Sequence, residues 1–148
     1  MADDLRTRVD ADAPVAAPEA PSPDPHHVLV AVALAAGVEA AAQARRVVLD
    51  LLRQGRRPDM ADTACLLTSE LVANAVVHTG APVELVVDLD RARLAVEVID
   101  VSSETPEPVE ASPFATSGRG LAMVAHLADA WGVTRVVPGK SVWFSLTA

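Results

Sequence analysis

The chain has 148 residues, enough for one domain with a real core, and it is 51% hydrophobic but only 3% aromatic, so Val, Leu and Ala must build that core. A net charge of -8 argues against direct contact with nucleic acid, because phosphate binding is driven by Lys and Arg. One cysteine, Cys65, excludes an internal disulfide and fits a reducing cytoplasm.

Residues 1–26 read as a flexible tail. Pro14, Pro18, Pro21, Pro23 and Pro25 stand among Ala and among Asp3, Asp4, Asp10, Asp12, Glu19 and Asp24, with only Arg6 and Arg8 opposing them, a composition that buries too little to offset its ordering entropy. It is too acidic for a signal peptide. The longest apolar run, Val28 to Val38, falls short of the roughly 20 residues that span a bilayer, so a cytoplasmic protein without a membrane segment is expected.

The domain occupies residues 27–148. His27 to Leu34 is a short Val-rich strand ended by Gly37, and Val38, Ala41, Ala42, Val48, Leu49 and Leu52 then fall at helical spacing up to about Gly55. Asp59 or Asp62 is placed to cap a second helix that runs to about Thr79 and stops at Gly80. Within it, ELVANAVVH sets Glu70, Asn74 and His78 four residues apart, in a row along one face. Leu66, Leu67, Leu71, Val72, Ala73, Ala75, Val76 and Val77 cover the rest, which predicts a largely buried helix whose polar row needs partners. Local capping and pairing meet that need as well as a ligand or a metal does.

After Pro82 the period changes to two. Val83, Leu85, Val87 and Leu89 alternate with Glu84, Asp88 and Asp90, and LAVEVID follows a turn at residues 91–93, so a hairpin ending at Asp100 is expected. Residues 101–117 carry Pro106, Pro108 and Pro113 and no period, the mark of a lid or binding loop. The loop leads into Gly118, Arg119 and Gly120, then an amphipathic helix ending near Trp131 and Gly132, then two strands, GVTRVV and KSVWFSL. This order gives an α+β fold, a two-layer α/β sandwich whose mixed, mainly antiparallel sheet carries helices on one face. His26, His27 and His126 show no metal-ligand spacing, and Trp131 and Trp143 read as core or interface anchors.

With these residues in order, the chain resembles the GHKL, or Bergerat-fold, ATP-binding family. ELVANAVVH is similar to its N box, Asp100 stands where its adenine-binding Asp closes a strand, Ser117 to Leu121 (SGRGL) resembles its lid-closing glycine box, and GKSVWFSL its final strand. The small size without a phosphoacceptor helix domain most resembles the stand-alone anti-sigma-factor serine kinases of high-GC bacteria. That resemblance implies ATP and Mg²⁺ as cofactors, with Glu70 as the base toward a partner's serine and Asn74 on the metal. It implies a sigma factor and an anti-sigma-factor antagonist as partners, and a homodimer. His78 reaches a phosphate oxygen or caps its helix. Asp100 accepts the exocyclic amine of adenine, Gly118, Gly120 and Leu121 open the helix N-terminus to phosphate, Arg119 adds charge or faces solvent, and Ser141 lies near the base. One departure is plain: the family's Asp-x-Gly-x-Gly box is replaced by Asp100 followed by Val101, Ser102, Ser103 and Glu104, without either glycine. A non-phosphorylating nucleotide-sensing or sequestering module on the same fold is therefore the second reading.

Overall fold

The structure is a computed structural model that describes residues 25–100, 115–136 and 139–147. The expected tail up to residue 24 and the Pro-rich loop at 101–114 lie outside the described residues. The chain runs β1 (Val28–Leu34), α1 (Ala40–Gln54), a single 3₁₀ turn (Pro58–Met60), α2 (Ala61–Thr79), β2 (Val83–Leu89), β3 (Arg93–Asp100), α3 (Ala115–Leu127), β4 (Ala130–Arg135) and β5 (Lys140–Thr147). The strands form one sheet in the order β1-β2-β3-β5-β4. All four pairings are antiparallel, so the sheet expected to be mixed is antiparallel throughout the described strands.

The alternation read in β2 is the pattern that builds the core. Val83, Leu85, Val87 and Leu89 face the helices with Leu94, Val96 and Val98 of β3 and Phe144 and Leu146 of β5. Against them lie Ala40, Ala44, Val48 and Leu52 of α1, and Ala64, Leu67, Leu71, Val72 and Ala75 of α2. Small Ala side chains on α1 and α2 let the two helices approach closely, which suits a core with few aromatics. The stretch from Pro58 to Thr79 has the length and mean hydropathy (1.3) of a membrane span, unlike the short run noted in the sequence, yet its apolar side here belongs to this core.

Three local readings are corrected. Val38 is 99% exposed and precedes α1, whose buried row is instead set by residues four apart, Ala40, Ala44, Val48 and Leu52. Neither Asp59 nor Asp62 caps α2. The carboxylate of Asp59 accepts two bonds from Arg57, at 3.0 and 2.8 Å, and the capping position is Met60 without a side-chain bond. Finally, α3 ends at Leu127, and Trp131 and Gly132 belong to β4. The reason is Asp129: its backbone N–H donates to Ser145 O at 2.9 Å and its carboxylate accepts from Thr147 N–H at 2.6 Å, so pairing with β5 is under way before Trp131.

His27, just ahead of β1, is tied to the sheet through Nε2 and Asp88 Oδ1 at 2.7 Å. Among the described residues, two buried polar atoms, Thr68 Oγ1 and Trp131 Nε1, have no hydrogen-bond partner.

Gly132 is required by a close approach. The Trp143 indole lies across it, and a Cβ there would meet Nε1 at 2.9 Å and Cζ2 at 3.0 Å. Gly132→Ala is expected to destabilise the chain by about 1–3 kcal/mol through overpacking, read as a lower urea midpoint with an unchanged slope and a shifted tryptophan emission.

Candidate functional site

The candidate residues gather at one end of the sheet because of the register. Asp100 ends β3 opposite Val83 and Lys140, and residues 80–82 are the only link between the end of α2 and Val83. Gly80, with φ 63°, stops α2 in the left-handed conformation that favours glycine and donates to Val76 O at 2.7 Å. The row from Glu70 to His78 therefore runs along α2 toward the Asp100 end.

This face of α2 is more open than the sequence suggested. Leu66, Ala73, Val77 and His78 are exposed, and Glu70 and Asn74 are half-buried. Among the described residues, neither Glu70 nor Asn74 has a side-chain hydrogen bond or ion pair with another. Two oxygen-bearing groups one turn apart thus share a half-dry face with no side-chain partner among the described residues. At the end of α2, Thr79 Oγ1 donates to Ala75 O at 3.0 Å and accepts from Ala81 N–H at 3.0 Å.

Asp100 is 2% exposed, and Lys140 Nζ stands 2.9 Å from its Oδ2. Sequence reasoning missed Lys140. The available signal was a cation opening an otherwise apolar strand, directly opposite the strand end occupied by Asp100. A buried pair of this kind is strongly destabilised when one partner is removed, because the other is left as an uncompensated charge.

Ser141 is not brought to this group. It pairs with Ile99 in the register, one residue from the Asp100–Lys140 pair, so it faces the other side of the sheet, away from the helices. There it is fully buried, and its hydroxyl donates to Glu97 Oε2 at 2.6 Å. Burial pushes the Glu97 carboxyl up, the Ser141 bond opposes that shift, and Glu84 adds to it.

The glycine pair also sits differently. The helix begins at Ala115, so Gly118, Arg119 and Gly120 lie inside α3 and do not form a loop ahead of it. Two glycines cost a helix about 1 kcal/mol each relative to Ala, and the apolar turn that follows, with Leu121, Met123 and Val124 against the core, offsets this. The first four N–H groups of a helix lack internal partners, which places Gly118 at the limit of an anion-binding terminus and Gly120 beyond it. Leu121 packs on the core.

Two open cavities elsewhere, one of about 580 Å³ beside Arg56 and Arg91 and one beside Gly37, touch neither the α2 row nor Asp100. The chemistry of the side chains, and not cavity size, marks the candidate site.

Comparison with known proteins adds a family. The family described as "Histidine kinase-like ATPase domain" matches residues 34–146. No curated protein matches the chain.

Lys140→Met is expected to cost about 3–5 kcal/mol, with much of the loss recovered when Asp100→Asn is added, measured by a double-mutant cycle in urea. Glu97 gives a pH-dependent test. The folded state holds its proton more tightly, so its contribution to stability is greatest below the ordinary carboxylate value of 4.5 and is lost as pH rises through the raised folded value. Glu97→Gln keeps an acceptor for Ser141, and its stability relative to wild type is expected to climb between about pH 4 and pH 7 in thermal melts.

Proposed function

The chain belongs to the histidine kinase-like ATPase domain family, and from that premise we propose that it is an ATP- and Mg²⁺-dependent regulator that phosphorylates serine on a partner protein. The observation that carries this reading is the pair Glu70 and Asn74, half-buried one turn apart on α2, without a side-chain partner among the described residues, on the row that runs toward a buried Asp100.

The donor set fits the ligands. The Asn74 amide oxygen is a hard donor suited to Mg²⁺, an ion that takes few protein ligands and keeps water and phosphate oxygens for the rest. Glu70 holds a carboxylate one turn away, where it accepts the proton of an incoming hydroxyl. Asp100, paired with Lys140, accepts the exocyclic amine of adenine through a carboxylate oriented at the strand end. ATP, when bound, supplies the transferable phosphoryl group, and Mg²⁺ neutralises its charge. His78 and the first N–H groups of α3 are the phosphate contacts in this reading. The resemblance to anti-sigma-factor kinases supports a sigma factor and its antagonist as partners, and a homodimeric cytoplasmic protein.

A second reading has its own observation. The glycines expected after Asp100 are replaced by Val101, Ser102, Ser103 and Glu104, which favours a module that binds nucleotide or sequesters a partner without transfer.

Calorimetric titration with ATP and ADP, with and without Mg²⁺, tests both. Mg²⁺-dependent ATP binding is expected in the wild type, weakened about tenfold or more, about 1.4 kcal/mol, in Asn74→Ala. Absence of heat at millimolar nucleotide would sink the kinase and the sensor together. Glu70→Ala is expected to bind ATP normally and to lose about 10²–10⁴-fold in transfer of labelled phosphate to an antagonist. Undiminished transfer would remove Glu70 as the base, and ATP binding by the wild type with no transfer to any antagonist would favour the second reading.

A further inference from the structure

Positive charge is concentrated at the end of the sheet opposite Asp100. Although the chain carries -8 overall, Arg53, Arg56, Arg57, Arg91 and Arg93 lie at the last turn of α1, the junction after it and the β2–β3 turn, against Asp50, Asp59 and Asp90. There a cavity of about 580 Å³ is lined by His26, Gly55, Arg56, Arg57, Asp90 and Arg91 among others. Arg56, Arg57 and Arg91 outnumber Asp90 in this lining, with Asp59 offsetting Arg57, which leaves a modest positive excess. Arg57 is locked by its paired bonds to Asp59 and by donation from its guanidinium to Arg91 O at 2.8 Å, which ties the α1–α2 junction to the hairpin turn. The acid in the wall, Asp90, commits one oxygen to the turn, since its Oδ1 accepts the N–H groups of Ala92 and Arg93 at 2.8 Å each.

Arg56 adds an independent sign. Its φ is 58°, a left-handed conformation in which no other non-glycine residue is found among those described. A side chain there costs about 1–2 kcal/mol that glycine would avoid, yet the position beside Gly55 carries a guanidinium on the cavity wall.

His26 lines the same cavity, so the chain enters the fold at this wall. Immediately before it come residues 1–24, with Asp3, Asp4, Asp10, Asp12, Glu19 and Asp24 against Arg6 and Arg8. We propose that this acidic N-terminal segment docks in the arginine-lined cavity of its own chain. Tethering makes the contact intramolecular, at an effective concentration of order mM for a short linker, so weak charge pairing suffices to populate it. The occupant is favoured over a free anion or an acidic partner because it has the complementary sign and is attached at the rim. Docking there leaves the Glu70–Asn74 face open, so the proposal stands or falls separately from nucleotide binding.

A nitroxide at Ala11→Cys in a full-length Cys65→Ala background reads this contact directly. Selective broadening of the Gly55, Arg56 and Arg91 amides is expected, relieved at about 1 M salt, where the screening length is about 3 Å. It is also expected to vanish in Arg56→Glu with Arg91→Glu, and in a chain whose six N-terminal acids are changed to Asn or Gln, which leaves every folded residue intact. Broadening that is absent, that survives neutralisation of the acids, or that centres on Asn74 or on the outer face of the sheet would overturn the proposal.

Discussion

The seating of α2 on the sheet is the constraint on which the site depends. Leu67 and Val72 are fully buried and Leu71 is 3% exposed, and each buried Leu at such a position is worth about 2–5 kcal/mol against truncation. Rotating α2 to bury Glu70 or Asn74 further would bring these side chains into water. The apolar ridge therefore decides where the polar row points. Its seating against α1 is reinforced by Arg45 donating to Ser69 Oγ at 3.0 Å, and Cys65 lies in the same seam, where burial pushes its thiol up and keeps it an inert packing group.

The antiparallel register then separates the molecule into two poles. Val83, Asp100 and Lys140 meet at one end of neighbouring strands, and Leu89, Leu94 and the turn at Asp90 meet at the other. Because α2 links directly to β2, its C-terminal half is bound to the first pole, while the junction that precedes it, with Arg57, is bound to the second. A half-open row of oxygen donors and a buried carboxylate share one pole; arginines crowd the other. The topology keeps the two surfaces about a strand's length apart, so a ligand at one need not compete with a ligand at the other.

What the sequence made legible follows from which forces are local. Alternation in β2 and four-residue spacing in α1 and α2 are signals of burial, and the elements they named are the elements present. The glycine stop at Gly80 was equally readable, since only its left-handed turn was needed. Errors arose where a distant partner competes with a local preference. Asp59 was read as a cap but is drawn to Arg57; Trp131 was read as a helix end but is captured by β5 through Asp129. At the site, Asp100 was legible as a strand-end carboxylate, whereas its Lys140 partner depends on how β3 and β5 align, which no local pattern encodes. Ser141 failed for the same reason, as a shift of one residue in a strand moves a side chain to the other face.

The Asp100–Lys140 pair also shapes how the site can recognise a base. A carboxylate so deeply buried would be costly to keep alone, and the ammonium 2.9 Å away offsets that cost before any ligand arrives. Recognition that displaced Lys140 would strand one charge to satisfy another, a poor exchange in a dry environment. Recognition that leaves Lys140 in place uses the remaining lone-pair capacity of an acceptor already oriented by a strand end and a cation. The second route needs no rearrangement of the sheet, so in the proposed reading the ion pair would serve as a preorganising support for base recognition.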